Sequence, residues 1–496
     1  MAKDQFSLRC SCYTLLLLSS LSSFFVLAYW SYFSIDCHPH DLTQISIFHI
    51  KEKQDLNLLT FPSSWNSLQF LPSDSNAVPP RILKIALFVK KWPDKYHAGG
   101  LERHASTLHL ALAERGHHLH VFTTYSSSTN ATSSLSNLHF HLSKPTSGGY
   151  LDQATIWDQF QAENSKVRPF DVVHTESVGL MHTRSRNLTN LAVSWHGIAY
   201  ESIHSDIIQE LSRPPEVPQS SILKERVLKV VEEIKFFPRY AHHVATSDHV
   251  GDILKRIYML PEDRVHIILN GVDEEIFKPD ARDFKPEFNI RESNISLILG
   301  VAGRLVKDKG HPLIFEALKQ IFNESSTFRD SVVVLVAGDG PWSARYKELG
   351  YNNNNVRVLG PLEQDRLARF YNVIDIFVNP TLRAQGLDHT LLEAMLVGKP
   401  LMATKLSSIT GSVIVGREIG YTFSPTVDAL KKTLYEIWRD GRGVLEEKGR
   451  LARVRALKLF TATKMTLAYE RLFLCIADSN NGQVTNDDYC TYKHKD

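Results

Sequence analysis

The sequence predicts an α/β protein with a doubly wound parallel sheet and a second α/β domain that begins near Ile295, because short apolar runs alternate with helical patterns. The first run is Ile82 to Val89. Later runs each end at a turn, as such a sheet requires, and they are His118 to Thr123, Asp171 to Thr175, Leu191 to Trp195, His243 to Thr246 and Val265 to Leu269. Ligands bind beyond the carboxyl ends of such strands, so a site is expected at these turns.

The composition indicates a folded chain and excludes one class of partner. Hydrophobic residues make up 43% of the 496 residues and charged residues 22%, which is ordinary for a globular protein with more than one core. The formal net charge of +2 argues against a broad polyanion-binding surface. Nucleic acid is therefore not expected as a partner.

The N-terminal segment predicts a membrane anchor. No acidic or basic residue lies between Arg9 and Asp36, a stretch of about 26 residues where about 20 suffice to span a bilayer. We expect a cytoplasmic tail at 1–12 and a signal-anchor transmembrane helix at 13–35, with a cleaved signal peptide as the alternative. Basic residues before the span favour a single-pass type II protein of a Golgi or other secretory-pathway membrane, with the remaining chain in the lumen.

Residues 36–80 predict a stem between the membrane and the folded part, because they lack a sustained period and include a stretch rich in Ser and Pro. Four N-glycosylation acceptors would then lie on the luminal side, at Asn130, Asn187, Asn294 and Asn323. Chance occurrence is the alternative, because the chain is rich in Asn, Ser and Thr.

The segment GRLVKDKG, from Gly303 to Gly310, is predicted to be a strand-to-helix turn, because it follows an apolar run and precedes a helical pattern. Backbone N–H groups and the positive end of the helix dipole favour an anion at such a turn. Arg304 can bind phosphate oxygens bidentately, and Lys309 would act as a point charge. A solvated basic loop is the alternative.

In the segment QGLDHTLLEAM, from Gln385 to Met395, Glu393 is predicted to open a helix that ends near Gly398. A Glu in this place can accept hydrogen bonds from ribose hydroxyls. Alternatively, it is a first-turn Glu that stabilises the helix dipole. Between the two segments, three more turns follow apolar runs, and they are GDGP from Gly338, VRVLG from Val356 and IDIFVNPT from Ile374.

Two turns of the N-terminal half are candidate ligand contacts. Gly99 and Gly100 lie beyond the first strand and before a helical pattern, although a flexible turn would look the same. His196 ends an apolar run in VSWHG, where a cleft between two domains would form. A structural histidine is the alternative there.

These segments, in this order, resemble the retaining glycosyltransferases of family 4 (group 1) over most of residues 81–476. The resemblance implies the GT-B architecture, in which two Rossmann-like domains face a cleft. The implied parts are an N-terminal acceptor-side domain at 81–280, a C-terminal nucleotide-sugar-binding domain at 293–448, a C-terminal crossover helix at 449–476 and a polar tail at 477–496.

The resemblance also implies the residues of the site. The residues implied to bind the nucleotide sugar are Gly99, Gly100, Gly303, Arg304, Lys309, Gly338, Gly386, Leu392 and Glu393. The implied catalytic residues are His196, Gln385 and Asp388.

One departure from the family pattern concerns Gln385. The family has two glutamates in this segment, and the second is Glu393, whereas Gln385 stands at the first position. Gln keeps the size of the side chain but loses its charge. Asp388 stands where the family usually has glycine, and it either supplies the missing charge or changes the choice of donor.

The expected reaction is transfer of a sugar, with retention, from a nucleoside-diphosphate sugar to a hydroxyl of a glycan, glycolipid or other acceptor. A UDP-sugar is favoured by the resemblance, and no metal or other cofactor is expected. An oligomer or a complex with another transferase stays open. One alternative function is a noncatalytic GT-B-fold partner of another transferase, marked by Gln385. Another is a soluble nucleotide-sugar enzyme of the cytosol, if the N-terminal segment does not span a membrane.

Overall fold

The computed structural model describes residues 79–93, 99–124, 135–291, 294–353, 355–384 and 387–481, and all of them belong to one compact unit. The predicted tail (1–12) and anchor (13–35) and almost all of the predicted stem (36–80) lie outside these residues. Within the described ranges, no helix combines the length and apolar character needed to cross a membrane.

In the described part of the chain, the first sheet has seven strands, all parallel, in the order β3-β2-β1-β4-β5-β6-β7. The strands are β1 Lys84–Phe88, β2 His118–Thr124, β3 Leu138–Ser143, β4 Val172–Glu176, β5 Leu191–Trp195, β6 His242–Ala245 and β7 Val265–Ile267. The helices of this domain are α1 Gly100–Glu114, α2 Gln153–Asn164, α3 His182–Ser185, α4 Ala199–Leu211, α5 Ile222–Phe236 and α6 Asp248–Arg256.

Helices cover both faces of the first sheet, which explains why its strands are nearly continuous apolar runs. Ile85 and Leu87 of β1 point into one core, and Ala86 and Phe88 point into another on the opposite face. All four side chains are fully buried.

The second sheet has six parallel strands within the described residues, in the order β10-β9-β8-β11-β12-β13. The strands are β8 Leu297–Ala302, β9 Val332–Ala337, β10 Val356–Gly360, β11 Ile376–Asn379, β12 Leu401–Thr404 and β13 Gly420–Phe423. The helices are α7 His311–Glu324, α8 Ser326–Ser331, α9 Ser343–Asn353, α10 Gln364–Val373, α11 His389–Leu396 and α12 Ser407–Ser412. Short 3₁₀ turns occur at Ser177–Gly179, Phe237–Arg239, Glu262–Arg264, Lys285–Phe288 and Lys307–Lys309.

The helix after β8 shows why these segments fold as they do. In α7, Ile314, Ala317, Leu318 and Ile321 follow the helical spacing and are all fully buried. The helix begins directly after Gly310, which has a left-handed φ of 77°. A Cβ atom at this position would lie 1.8 Å from the carbonyl oxygen of Pro380, so the close approach of the turn to β11 requires glycine.

Two C-terminal helices return the chain to the first domain. Helix α13, Val427–Leu459, has a non-helical break at Gly441, and its Ala452 and Ala456 pack on the second domain. Helix α14, Ala462–Asn481, packs against α1, and Glu470 accepts hydrogen bonds from Arg115 and His117 at 2.7 and 2.8 Å. The chain therefore passes between the domains at 460–461, within the range predicted for a single crossover helix.

The observed fold confirms the predicted class of two parallel-sheet α/β domains, while the predicted N-terminal helix lies outside the described residues. In both sheets, the strand order reverses beside the first strand, between β1 and β4 and between β8 and β11. Ligands of such sheets bind at this switch point. The helices α1 and α7, which follow β1 and β8, begin there.

Candidate active site

A cavity of about 700 Å³ lies between the two domains, where the carboxyl ends of both sheets meet. This size suits a small-molecule ligand. Of the predicted site residues that the structure describes, eight line it: Gly99, Gly100 and His196 from the first domain, and Gly303, Arg304, Lys309, Gly338 and Asp388 from the second. The structure thus brings together residues from five segments that the sequence singles out: the two turns of the N-terminal half, GRLVKDKG, GDGP and QGLDHTLLEAM.

The turn after β8 and the turn after β9 touch backbone to backbone. Gly303 and Gly338 have φ values of 123° and 126°, which a side chain would disfavour. A Cβ atom on Gly338 would lie 1.9 Å from the carbonyl oxygen of Gly303. This contact places Arg304 at the cavity, where its side chain is exposed.

Lys309 reaches the cavity already paired with a carboxylate. Its Nζ donates to Asp388 Oδ2 at 2.6 Å, and Asn379 Nδ2 donates to the same oxygen at 3.3 Å. Asp388 also caps α11 by accepting from the Thr390 backbone N–H at 3.3 Å. Burial opposes ionisation of Asp388, but Lys309 and these hydrogen bonds outweigh it and hold the pKa of the carboxyl below its ordinary value. Asp388 is therefore a charged partner of Lys309.

Glu393 and Leu392 do not line the cavity. Glu393 is only 1% exposed, and its Oε2 accepts from the Tyr371 hydroxyl at 2.8 Å. Its Oε1 accepts from Arg103, which belongs to α1 of the other domain. Burial raises the pKa of Glu393, although the Arg103 charge acts against this shift. Both carboxylate oxygens of Glu393 are thus engaged by side chains of the protein. These contacts do not test the predicted ribose contact, which stays a prediction.

His196 lies directly after β5, and a second buried carboxylate holds it. Its Nε2 donates to Glu176 Oε2 at 2.6 Å, and the other oxygen of Glu176 is 3.1 Å from His104 Nδ1. Burial raises the pKa of Glu176, but the surrounding imidazoles, His104 first, dominate and hold it well below its ordinary value.

Three groups of side chains have ligand atoms close enough to contact one metal ion. In each group these atoms lie within 4.8 Å of one another. Among the described residues, the groups are His104, Glu176 and His196 beside the cavity, His109, His174 and Glu176 behind it, and His120, His141 and Glu163 elsewhere. The expectation that catalysis needs no metal stays a prediction.

Arg103, Arg383 and Asn270 also line the cavity, although no role was predicted for them from the sequence. Arg383 reaches across the cleft, since a Cβ atom on Gly197 would lie 2.4 Å from its guanidinium. Asn270 Nδ2 donates to the carbonyl oxygen of Leu387 at 2.7 Å, which joins the two domains. Of these three residues, only Arg103 is conspicuous in the sequence, because a cation in the first turn of a helix is unfavourable for the helix dipole.

Three predicted residues lie outside the described part of the chain: Gln385, Gly386 and Asn130. The other glycosylation acceptors, Asn187, Asn294 and Asn323, are exposed. Their modification stays a prediction.

Two family models match this chain, one in each domain. Residues 98–276 match Glycosyltransferase Family 4, and residues 296–440 match the model described as Glycosyl transferases group 1. The first match covers β2 to β7 of the first sheet, and the second match covers all six strands of the second sheet.

Individual relatives of known name share less than a third of their residues with this chain. The lipopolysaccharide 1,2-N-acetylglucosaminetransferase of Salmonella typhimurium is 29% identical over 180 residues, which are 34% of this chain and 45% of that enzyme. The N-acetyl-alpha-D-glucosaminyl L-malate synthase of Bacillus anthracis is 23% identical over 421 residues, which are 81% of this chain and 100% of that enzyme. The chain thus spans less than half of the first relative and all of the second.

Solved structures share the fold. Sucrose-phosphate synthase from Thermosynechococcus elongatus has a TM-score of 0.64 at 19% identity, covering 79% of this chain and 98% of that one. Anabaena HepE in complex with UDP-glucose has a TM-score of 0.57 at 16% identity, covering 81% of this chain and 100% of that one.

The predicted localisation is contradicted. The relatives above are bacterial enzymes, and another relative is an archaeal protein. This origin points away from a Golgi or other secretory-pathway membrane protein of single-pass type II topology. That prediction is therefore wrong.

Proposed function

Because the chain joins a glycosyltransferase family 4 domain to a group 1 glycosyl transferase domain, we propose that it transfers a sugar from a nucleoside-diphosphate sugar to an acceptor hydroxyl with retention of the anomeric configuration. A uridine nucleotide is the favoured donor. The shared fold of Anabaena HepE, which was crystallised with UDP-glucose, supports this choice.

The observation that carries the proposal is the basic turn at the cavity. Arg304 is exposed there and, within the described residues, makes no ion pair with another side chain. It lies a few residues before the N-terminus of α7, whose backbone N–H groups and dipole favour an anion. A diphosphate placed at this turn would meet both sources of positive charge.

The charge of the leaving diphosphate is met by side chains in this proposal. Among the residues that the structure describes, the Arg and Lys side chains that line the cavity are Arg103, Arg304, Lys309 and Arg383. As the bond between the anomeric carbon and the diphosphate breaks, negative charge develops on the phosphate oxygens, where these cations stabilise it. The reaction therefore proceeds without a metal ion.

Retention requires that the acceptor oxygen attacks from the face that the diphosphate leaves. A new bond forms between this oxygen and the anomeric carbon, and the hydroxyl proton passes to the departing phosphate oxygen. His196 lines the cavity from the first domain, whereas the basic turn lines it from the second. In this proposal His196 contacts a hydroxyl of the donor sugar.

The pairing with Lys309 bears on the two roles left open for Asp388. Its charge is already compensated at 2.6 Å, so it is less suited to stabilise positive charge on the sugar. The pair instead supports a role in orienting Lys309 and in choosing the donor.

The proposal is tested by screening the full chain for hydrolysis and transfer from UDP- and GDP-sugars, with and without EDTA, beside Gln385→Glu. The control is Gln364→Glu, a matched change at an exposed residue that does not line the cavity. Turnover by the native chain, with a retained anomer and no effect of EDTA, is expected. If the native chain binds a donor without turnover and only the Gln385→Glu variant turns it over, the noncatalytic partner is favoured. A product with the inverted anomeric configuration would refute retention.

A further inference from the structure

The side chain behind His196 is a carboxylate that has no role in the proposed function. Glu176 is the last residue of β4, and it pairs in the sheet with Ser194 of the neighbouring strand, two residues before His196. The side chains of Glu176 and His196 therefore come from adjacent strand ends at the cavity. Glu176 itself is fully buried and does not line the cavity.

Both oxygens of Glu176 are engaged, so the carboxylate has a fixed orientation. Oε2 accepts from His196 Nε2 at 2.6 Å, and Oε1 faces His104 Nδ1 at 3.1 Å. The His104 ring is also completely buried, and it lies 4.4 Å from the His196 ring between centroids. A hydrogen bond to a charged, buried acceptor is stronger than one between neutral groups, so it selects the tautomer of the imidazole that can donate to it.

We propose that Glu176 is a positioning residue that holds the proton of His196 on Nε2 and leaves Nδ1 for a hydroxyl of the donor sugar. His196 lines the cavity, and its Nδ1 has no hydrogen-bond partner among the described residues. In the neutral ring, a nitrogen without a proton is an acceptor. Nδ1 therefore accepts from the sugar hydroxyl, and Glu176 acts only through His196. The inference rests on the proposed function.

The same geometry explains why the side chain must be a carboxylate. An ionised carboxylate only accepts hydrogen bonds, so the nitrogen that faces it must carry the proton. A Gln of the same size can turn its amide group and donate to Nε2, which would move the proton to Nδ1. Glu176→Gln therefore changes the hydrogen-bond character presented to the cavity and keeps the volume of the side chain.

The first test needs no catalytic activity. The full chain is labelled with ¹⁵N-histidine, and the signals of His196 are identified by difference from His196→Asn. We expect the native protein to carry the ring proton on Nε2, and Glu176→Gln to move it toward Nδ1. A native His196 with its single proton on Nδ1 would overturn the proposal, even if Glu176→Gln fails to fold.

The second test is kinetic and uses Glu470→Gln as its matched control. Glu470 is 5% exposed and accepts a hydrogen bond from His117 Nε2 at 2.8 Å. It lies in α14, which packs on the first domain, and it does not line the cavity. Glu176→Gln should lower kcat by roughly 10- to 100-fold, by analogy with loss of the partner that orients a metal-bound imidazole, whereas Glu470→Gln should not. Equal losses in both variants would show a structural role only.

A double variant separates action through His196 from independent action. In a His196→Asn background, Glu176→Gln should cause no further loss of kcat, because the ring it orients is gone. A multiplied loss would overturn the proposal, as would EDTA-sensitive turnover restored by Zn²⁺, since Glu176 and the two histidines would then be metal ligands. If the native chain turns over no donor, the proposed function fails, while the histidine spectrum still tests the positioning of His196.

Discussion

Removing Lys309 should weaken nucleotide binding for two reasons, one of which a second substitution can reverse. In the structure, Lys309 Nζ lies 2.6 Å from Asp388 Oδ2 at the edge of the cavity. Lys309→Ala removes a cation from the proposed diphosphate site and also leaves Asp388 uncompensated beside it. Asp388→Asn in the same chain should remove that repulsion while keeping the cap of α11, since Asn is also a good N-cap residue.

The magnitude follows from charge and distance. Losing a charged hydrogen bond costs about 1.5–3 kcal/mol. An uncompensated carboxylate about 6 Å from a phosphate adds roughly 2.8 kcal/mol of repulsion at an effective dielectric constant of about 20. The two side chains keep 15% and 14% of their surface exposed, and screening by water halves this repulsion to about 1.4 kcal/mol. Lys309→Ala should thus raise the Kd for UDP by roughly a hundredfold or more, and adding Asp388→Asn should recover about tenfold.

Isothermal titration calorimetry measures the Kd for UDP of the native chain, of Lys309→Ala, of the double variant with Asp388→Asn, and of a control. Asp375→Asn is the matched control, because Asp375 is a largely buried carboxyl paired with Arg442 at 3.3 Å and does not line the cavity. Its Kd should not change. If Asp388→Asn leaves the Kd of the Lys309→Ala variant unchanged or raises it further, the argument that Asp388 opposes the diphosphate is refuted.

Three further predictions concern other parts of the cleft. Arg304→Ala should raise the Kd for UDP roughly tenfold or more, with an unchanged Tm, since a charged hydrogen bond of about 1.5–3 kcal/mol is lost from an exposed side chain; equal affinity in calorimetry would remove its phosphate role. Arg103→Ala should destabilise the fold by about 3 kcal/mol by leaving buried Glu393 unpaired. Burial raises the pKa of Glu393, so the stability that its protonated form contributes is present at low pH and is lost as the pH rises through that raised pKa. The difference in Tm between the native chain and Arg103→Ala should therefore grow as the pH rises. Gly338→Ala should lower the Tm sharply, since its Cβ would lie 1.9 Å from a carbonyl oxygen of the neighbouring turn, whereas Gly411→Ala, with nothing within 4 Å, should not.

The local features of the fold followed from the sequence because their causes are local. A strand buried on both faces is a short apolar run, and a helix such as α7 repeats its apolar residues every three to four positions. The glycines of the basic turn and the cations beside them are likewise visible within a few residues of one another. Sequence alone therefore predicted the parallel sheets and placed Gly303, Arg304 and Lys309 at a strand-to-helix turn.

The pairing of charges was decided by the tertiary structure. Glu176 and His196 are 20 positions apart, Lys309 and Asp388 are 79 apart, and Arg103 and Glu393 are 290 apart. No periodicity connects such residues, because strand order and the approach of the two domains determine which turns meet. The sequence by itself determined two α/β domains and a basic turn suited to an anion. Only the packed structure decided that Lys309 is paired with Asp388, that Glu393 is paired with Arg103 and that a buried carboxylate holds His196, since these contacts depend on distances in space.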